Sequence, residues 1–380
     1  MDLEELRRSM FGTHNLIYMN TGWAGPSPPI VLSKIQEALE MEARLGPGSI
    51  EWLEFADQLG ERARKAAGSL LNVRASDLLL THSTREAVNV VFHGLKWETG
   101  DELLICDLEH IAITIPAQVL AQRFGIRIVC PIIPCQADPS EVIEILKRSL
   151  TPKTRLVALS HIQFSCGLKM PIKEISKMVH DQGIPLLVDG AQSVGQMPVD
   201  LLDLDCDFYT MSGQKWLLGP AGTGLLFVND QYHNELQPLL TTHAVEEARP
   251  DSTPGLARFS LASRNPALIA GITASMRLAL EIGIERIEQR ITALASLLRQ
   301  HLQSIPVTLL SPRSEESASG LVTVSVNNWS PLDLVKVLET QFRIIVRDVE
   351  NPSGIRFSVS HFSTENDVDA VALALKQLKR

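Results

Sequence analysis

Two side chains carry the first chemical signal. Asp189 ends the buried-strand run of IPLLVDGAQSVG, and Lys215 sits among small residues in SGQKWLLGPAGTG, directly after the strand-like CDFYTM. If these runs are neighbouring strands of one sheet, both side chains stand beyond its C-terminal edge, where open α/β sheets bind ligands. A lysine there can close a Schiff base with an aldehyde, and an aspartate can keep a pyridine nitrogen protonated as an electron sink; pyridoxal phosphate needs both from a protein. Alone, Lys215 reads as a surface lysine in a Gly-rich turn. Joined to Asp189 in this order, it points to the cofactor. Gln192 lies one turn beyond Asp189 on the same edge.

A cofactor phosphate wants backbone N–H donors at the start of a helix. THSTREAVNVVFHGL begins such a helix directly after the strand DLLLTH, with Ser83 and Thr84 placed to cap it and Arg85 able to add a charge-assisted bond. The same residues also make an ordinary cap and a solvated arginine, so it is their position after an early strand that raises the functional reading. His110 closes ELLICDLEH, a further strand end. Its imidazole suits covering a ring, moving protons or a structural role.

These residues need a frame. Between residues 77 and 228 short β-rich runs recur (DLLLTH, ELLICD, IRIVCPI, RLVALSH, IPLLVD, CDFYTM, TGLLFV), most separated by helical periodicity, as at Ile111 to Phe124, Glu141 to Leu150 and Ile172 to Gln182. The alternation predicts an α/β fold built on a large, doubly wound, mostly parallel sheet covered on both faces. Upstream, a turn-rich arm ending in TGWAGPSPP leads into helices at Ile30 to Arg44 and Trp52 to Leu71. Downstream, the polar THAVEEARPDSTPGLARFS reads as a functional loop, and a long helical region runs from about Pro266 to Gln303, broken near Gly283. LVTVSV, a helix near Leu332 to Gln341, RIIVRD, GIRFSVS and a last helix from about Glu365 form a small α+β unit. The expected division is an arm at 1–25 joining the small domain, a large cofactor-binding domain at 26–265, a connecting helix at 266–304 and a small C-terminal domain at 305–380.

Composition removes other classes of function. With 45% hydrophobic and 21% charged residues the chain is globular, and a formal net charge of −9 offers no basic stripe for nucleic acid. The N-terminal MDLEELRRSMFGTHNL has no apolar h-region, and no uncharged apolar stretch of about 18 residues occurs, so neither secretion nor membrane spanning is expected. Five cysteines, odd in number and without CxxC spacing, fit a reducing cytoplasm with no structural zinc and no other metal.

The motifs DLEH with His110, VDGAQSVG with Asp189 and Gln192, and SGQKWLLGPAGTG with Lys215 resemble the successive motifs of the class V aminotransferase superfamily of fold-type I pyridoxal phosphate enzymes. That group includes cysteine desulfurases, selenocysteine lyases, cystine C–S lyases and isopenicillin-N-epimerase-like proteins. The likeness runs from YMNTGWAGPSPP to RFSVSHFSTENDVD and is greatest to the cystine C–S lyase pattern, through the opening turn, GDELLICDLEH and RFGI. It implies that Lys215 is the Schiff-base lysine, Asp189 the partner of the pyridine nitrogen, Gln192 the donor to the ring hydroxyl and His110 the residue stacked on the ring. Thr84, Arg85 and Ser212 match phosphate-binding positions, beside Ser83 and Gln214. Ser263, in RFSLASRN, matches a hydroxyl that reaches the phosphate of the neighbouring subunit, which implies a homodimer with shared active sites. Arg356, in GIRFSVSHF, matches the arginine that grips a substrate α-carboxylate, with Arg347 a second candidate.

Three departures stand out: Gln214 where desulfurases usually carry His, Phe164 in place of an Asn near the substrate with Gln163 and Ser165 as possible substitutes, and Arg85 for a Thr or Ser. In the resembling desulfurases a nucleophilic cysteine lies shortly before the carboxylate-binding arginine. Here that stretch is RDVENPSGIR, with no cysteine, and Cys166 is the only thiol near a plausible active-site edge. The expected function is therefore β-elimination from a small sulfur-containing amino acid by a C–S lyase. Desulfuration or selenocysteine lysis, epimerisation, transamination and cofactor binding without catalysis are the alternatives.

Overall fold

The structure, a computed structural model, describes residues 3–238, 255–261 and 264–378. The strands, in chain order, are β1 (Ile17–Tyr18), β2 (Leu78–Thr81), β3 (Glu102–Leu104), β4 (Arg127–Val129), β5 (Thr154–Ser160), β6 (Leu186–Asp189), β7 (Phe208–Ser212), β8 (Gly224–Val228), β9 (Val307–Leu309), β10 (Leu321–Val326), β11 (Ile344–Ile345), β12 (Arg347–Val349) and β13 (Gly354–Ser358).

Seven of them form one sheet in the order β2-β8-β7-β6-β5-β3-β4. Only β8 runs antiparallel to its neighbours; β7, β6, β5, β3 and β4 pair in parallel. This is the mostly parallel sheet that the strand–helix alternation demands. Successive residues of a strand face opposite sides, and the two apolar clusters divide accordingly. Leu78, Leu80, Val157, Leu159, Leu186 and Val188 belong to one face, Leu79, Leu156, Ala158 and Leu187 to the other. The first face is covered by helices Ile50–Leu71, Pro139–Ser149, Ile172–His180 and Pro266–Ile282, the second by Thr84–Gly94 and Ile111–Phe124. Four helices begin with proline at their first position: Pro29–Leu45, Pro139–Ser149, Pro266–Ile282 and Pro331–Phe342. Proline there has no N–H to leave unsatisfied, and Asp138, Asn265 and Ser330 cap the last three through their side chains.

The small unit is an antiparallel sheet in the order β12-β13-β10-β9, covered by Ile284–Leu302, Pro331–Phe342 and Glu365–Gln377. Alternation along β13 decides what it offers to each side. Ile355 and Phe357 enter the small-domain core, while Arg356 and Ser358, between and beyond them, are directed to the opposite face. The N-terminal segment closes onto this unit: β1 pairs in parallel with β11, Asn20 bridges to Ser358, and Arg7 holds Asp367 through both carboxylate oxygens at 2.7 and 2.9 Å. The long helical region is two helices, Pro266–Ile282 and Ile284–Leu302, bent by 79° at Gly283. No single helix among the described residues is long and apolar enough to cross a membrane.

Candidate active site

The C-terminal ends of the parallel strands converge on a cavity of about 300 Å³ lined by Ser83, Thr84, Arg85, His110, Phe164, Asp189, Gln192, Ser212, Gln214 and Lys215, among others. It lies where the chain order reverses between β3 and β5, the position at which open α/β sheets bind ligands.

Asp189 is the last residue of β6, in register with Thr210 of β7 and Ser160 of β5. Its Oδ1 accepts from the Ala191 amide at 2.9 Å and the Thr210 hydroxyl at 3.3 Å, so both bonds fall on one oxygen. Burial pushes its pKa up, and the Lys215 ammonium opposes that shift. Residue 190 has to be glycine: a Cβ there would stand 2.1 Å from the Tyr209 ring. Tyr209 in turn shares its hydroxyl with His161 Nδ1 at 2.9 Å and Ser193 Oγ at 2.6 Å, a buried polar network beneath the strand end.

Lys215 stands half-buried in the turn after β7, where the Leu218 amide donates to its carbonyl at 3.0 Å. Desolvation lowers its amine to a pKa of about 8, with Asp189 opposing and Arg356 and Arg347 adding to the fall. An indole N–H can only donate, so the 2.9 Å contact from Trp216 Nε1 fixes the oxygen of Gln192 on that side. Gln192 Nε2 then donates to the Gly22 carbonyl at 2.8 Å, leaving its second hydrogen for the cavity.

His110 caps helix Ile111–Phe124: its Nδ1 accepts from the Ala112 amide at 3.1 Å, which puts the ring proton on Nε2. Burial, then the charges of Lys215, Arg347, Arg85 and Arg356, lower its pKa to about 3, so the ring is neutral. It meets Phe164 edge to face, ring centroids 4.8 Å apart. Ser83 caps helix Thr84–Gly94 by accepting from the Glu86 amide at 3.2 Å. The buried Thr84 hydroxyl has no partner among the described residues. Ser212 donates to Gln214 Oε1 at 2.8 Å on the opposite wall.

Arg356 and Arg347 do not line the cavity. The Arg356 guanidinium is 1% exposed and donates from Nη1 to the Phe164 carbonyl at 2.7 Å, while Nε and Nη2, which form one edge of the fork, have no partner among the described residues. Burial and the neighbouring Arg347 lower its pKa to about 9. A side chain at Gly22 would stand 3.1 Å from Arg356 Nη2 and 2.9 Å from Ser358 Oγ, so the missing one leaves a polar recess beside the arm. The Ser358 and Thr21 hydroxyls are likewise buried and unpartnered among the described residues. Arg347 lies over the Trp23 ring at 3.6 Å from its centroid. Ser263 lies outside the described residues, as does most of the polar stretch before it.

Neither Gln163 nor Ser165 replaces the missing asparagine at the cavity wall; Phe164 lines it and Gln163 is turned to Glu109 at 2.9 Å. The turn 163–168 instead joins the large sheet to the small antiparallel unit. Three of its carbonyls accept from the small unit: Phe164 from Arg356 at 2.7 Å, Ser165 from Thr323 at 2.6 Å and Gly167 from Ser319 at 2.8 Å. Ser160, Ile162, Ala112 and Ala191 line the cavity without having been named from the sequence, and Glu109, Tyr209, Thr21 and Ser358 lie around it, of which the adjacency of Glu109 to His110 was the one available signal.

The chain is 29% identical to C-DES, described as a cystine C–S lyase and solved in complex with its reaction product cysteine persulfide, with a TM-score of 0.92 over 98% of this chain and 100% of that one. A mutant of C-DES with glycine covalently linked to the PLP cofactor matches with a TM-score of 0.93, again at 29% identity, over 98% of this chain and 99% of that one. The fold is therefore the fold-type I architecture. Isopenicillin N epimerase of Streptomyces clavuligerus is 30% identical over 99% of this chain and 98% of its own. A probable cysteine desulfurase of Methanothermobacter thermautotrophicus is 27% identical over 100% of this chain and 98% of its own. The family model described as aminotransferase class-V matches residues 18–371, and with these relatives it shows that the chain belongs to the aminotransferase class-V family.

Proposed function

We propose that this protein is a pyridoxal phosphate enzyme that breaks the Cβ–S bond of a small sulfur-containing amino acid by β-elimination, a C–S lyase working as a cytoplasmic homodimer. The residues present fit the cofactor. The unpartnered Thr84 hydroxyl, the Thr84 and Arg85 amides that open a helix and so have no intrahelical acceptor, and the Ser83, Ser212 and Gln214 side chains would hold its phosphate. Asp189 would take the ring N–H on Oδ2, Gln192 would donate its second amide hydrogen to the ring hydroxyl, His110 would cover the ring and Lys215 would anchor it covalently. Bound there, the cofactor supplies an electron sink for charge developing at the substrate Cα.

The protein's own part follows from its geometry. The Arg356 edge made of Nε and Nη2 presents two parallel N–H donors to the substrate carboxylate, with the Ser358 and Thr21 hydroxyls beside it. Arg347 is a second carboxylate candidate. Lys215, lowered to about 8, takes and returns a proton near neutrality. His110, lowered to about 3, stays uncharged and serves as a ring cover. Apolar side chains left exposed at Ile111, Ile115 and Val119, one stripe of the helix that His110 caps, with Leu32, Leu39, Ile50 and Leu53 near the N-terminus, support a second copy as partner.

The observation that supports lyase over desulfurase is that no cysteine stands in the stretch between Arg347 and Arg356; none of the five lines the cavity, and of the two that are not buried Cys130 has its pKa raised while Cys135 is lowered by its hydrogen bond with Cys166. Cys106, Cys166 and Cys206 are buried with pKa values pushed up by their surroundings, whereas a sulfur-accepting nucleophile needs an accessible thiolate. The stretch between Arg347 and Arg356 is a β12–β13 hairpin whose Asn351 side chain donates to the Asp107 carbonyl at 3.0 Å. Turnover with cystine or cysteine should release pyruvate and ammonia and leave no persulfide on the protein. Alanine as product with stoichiometric persulfide on Cys166 would establish desulfuration instead. Inversion at Cα without pyruvate would establish the epimerase reading that the Streptomyces relative supports. For the anchor, borohydride treatment followed by peptide mass spectrometry should find the cofactor adduct on Lys215, and Lys215→Ala should lose it.

A further inference from the structure

A carboxylate that the reaction above does not use lies directly behind the site. Glu109 precedes His110 and is 6% exposed. Its Oε1 accepts from the Ser160 amide at 3.0 Å, Gln163 Nε2 at 2.9 Å and the Cys106 thiol at 3.2 Å; its Oε2 accepts from the Ser160 hydroxyl at 2.5 Å. All four donors are neutral. Burial raises its pKa and these hydrogen bonds hold it down. A carboxylate buried with only neutral partners is costly, and what these contacts secure is geometric.

Two chain segments meet on Glu109. One leaves β3 through Cys106 and continues into His110; the other leaves β5 through Ser160 and Gln163 and continues into Phe164. His110 and Phe164 are thus the next residues outward on either side, and their rings close edge to face at 4.8 Å and 79° over the cavity. Chain adjacency ties one ring to the carboxylate, and the Gln163 side chain ties the other.

We infer that Glu109 is a positioning residue: by binding Ser160 and Gln163 it holds the His110–Phe164 ring pair in place, and so sets the face that the site presents to the bound cofactor ring. This rests on the pyridoxal phosphate reading. Asp207 supplies the comparison, a buried carboxylate 1% exposed at the opposite, N-terminal end of the sheet, accepting from the Leu186 amide at 2.8 Å, Gln231 Nε2 at 2.9 Å and, unlike Glu109, an imidazole, His180 Nε2 at 2.8 Å.

The experiment compares holoenzyme of the wild type, Glu109→Gln and Asp207→Asn by visible circular dichroism of bound pyridoxal phosphate, steady-state kinetics and Tm. Glutamine keeps the shape of Glu109 but offers one acceptor oxygen where the carboxylate offers two, so the contacts to Ser160, Gln163 and Cys106 cannot all be kept as they are. It should retain cofactor, change the visible dichroism at least twofold and lower kcat at least tenfold with KM within threefold. Asp207→Asn should lower Tm and leave dichroism and kcat unchanged. Wild-type dichroism and kcat in Glu109→Gln, whatever its Tm, overturn the inference, as does an equal change of dichroism in Asp207→Asn. Should Glu109→Gln fail to fold, Gln163→Met, which removes the bond from Gln163 to Glu109 and its longer contact with the Cys106 sulfur, has to shift the dichroism in the same sense, and no shift there overturns the inference. A wild type with no cofactor band fails the functional reading and takes this one with it; a normal wild-type band beside an unchanged variant fails the inference alone.

Discussion

Lys215 and Arg356 are both cations set in low-polarity surroundings, and the cost of burying charge gives each a measurable signature. In the role proposed for Lys215 the neutral amine is the nucleophile, and its fraction rises as pH climbs through the pKa. Desolvation has brought that pKa down from 10.5 to about 8. The rate at which apo-protein takes up pyridoxal phosphate should therefore rise with pH, reach half its plateau at about 8 and level off above that, as followed by absorbance; a rise continuing past pH 10 would mean an ordinary, solvated lysine. For Arg356, truncating one partner of a buried, hydrogen-bonded charge pair costs about 2–5 kcal/mol. Arg356→Ala should then lower kcat/KM on an amino acid by roughly 30-fold to several thousand-fold. Lysine at that position should recover little of it, because a point charge does not reproduce the two-pronged edge. Asp189, Lys215, His110 and Thr84 were legible in the sequence because each follows a strand directly, so position and chemistry could be read together. Gln163 was not: whether it faces the cavity or Glu109 depends on how the turn is seated, which no local pattern encodes.

Elements bring those residues together through the turn 163–168, which follows β5 of the large sheet and is held at three carbonyls by Arg356, Thr323 and Ser319. Thr323 is one of the grips, from the middle of β10. Thr323→Val keeps the shape and leaves the Ser165 carbonyl short of a donor, at a cost of roughly 1–3 kcal/mol. Its urea midpoint should fall accordingly, and KM should rise because Arg356 shares the same turn; an unchanged KM would show that the turn is structural only. The strands of the large sheet announced themselves as apolar runs between helical stretches. RIIVRD did not. It reads as one strand yet splits at Val346 into β11, which pairs with β1, and β12, which pairs with β13. β1 itself is two residues long in a turn-rich arm, and its partner lies near the other end of the sequence, so nothing local marks it as a strand.

For the whole molecule the exposed apolar stripe Ile111, Ile115 and Val119 beside the site predicts self-association. Sedimentation should give twice the 41.9 kDa chain mass, and the double change Ile115→Asp and Val119→Asp should move the protein toward one chain. A wild type that sediments as a single chain while turning over would end the homodimer reading. The closure of the arm on the C-terminal unit, where Arg7 reaches the Phe362 carbonyl across 355 residues, has a further consequence for how the enzyme comes into being. During synthesis the arm around Arg7 emerges long before its partners around Phe362, and the strand bearing Arg356 emerges long after the turn bearing Lys215. At roughly 5–20 residues per second that interval is on the order of ten seconds. On the proposed roles, the residues that would hold the cofactor are made before Arg356, which would grip the substrate. On that reading, charging with cofactor can precede turnover in the life of each chain.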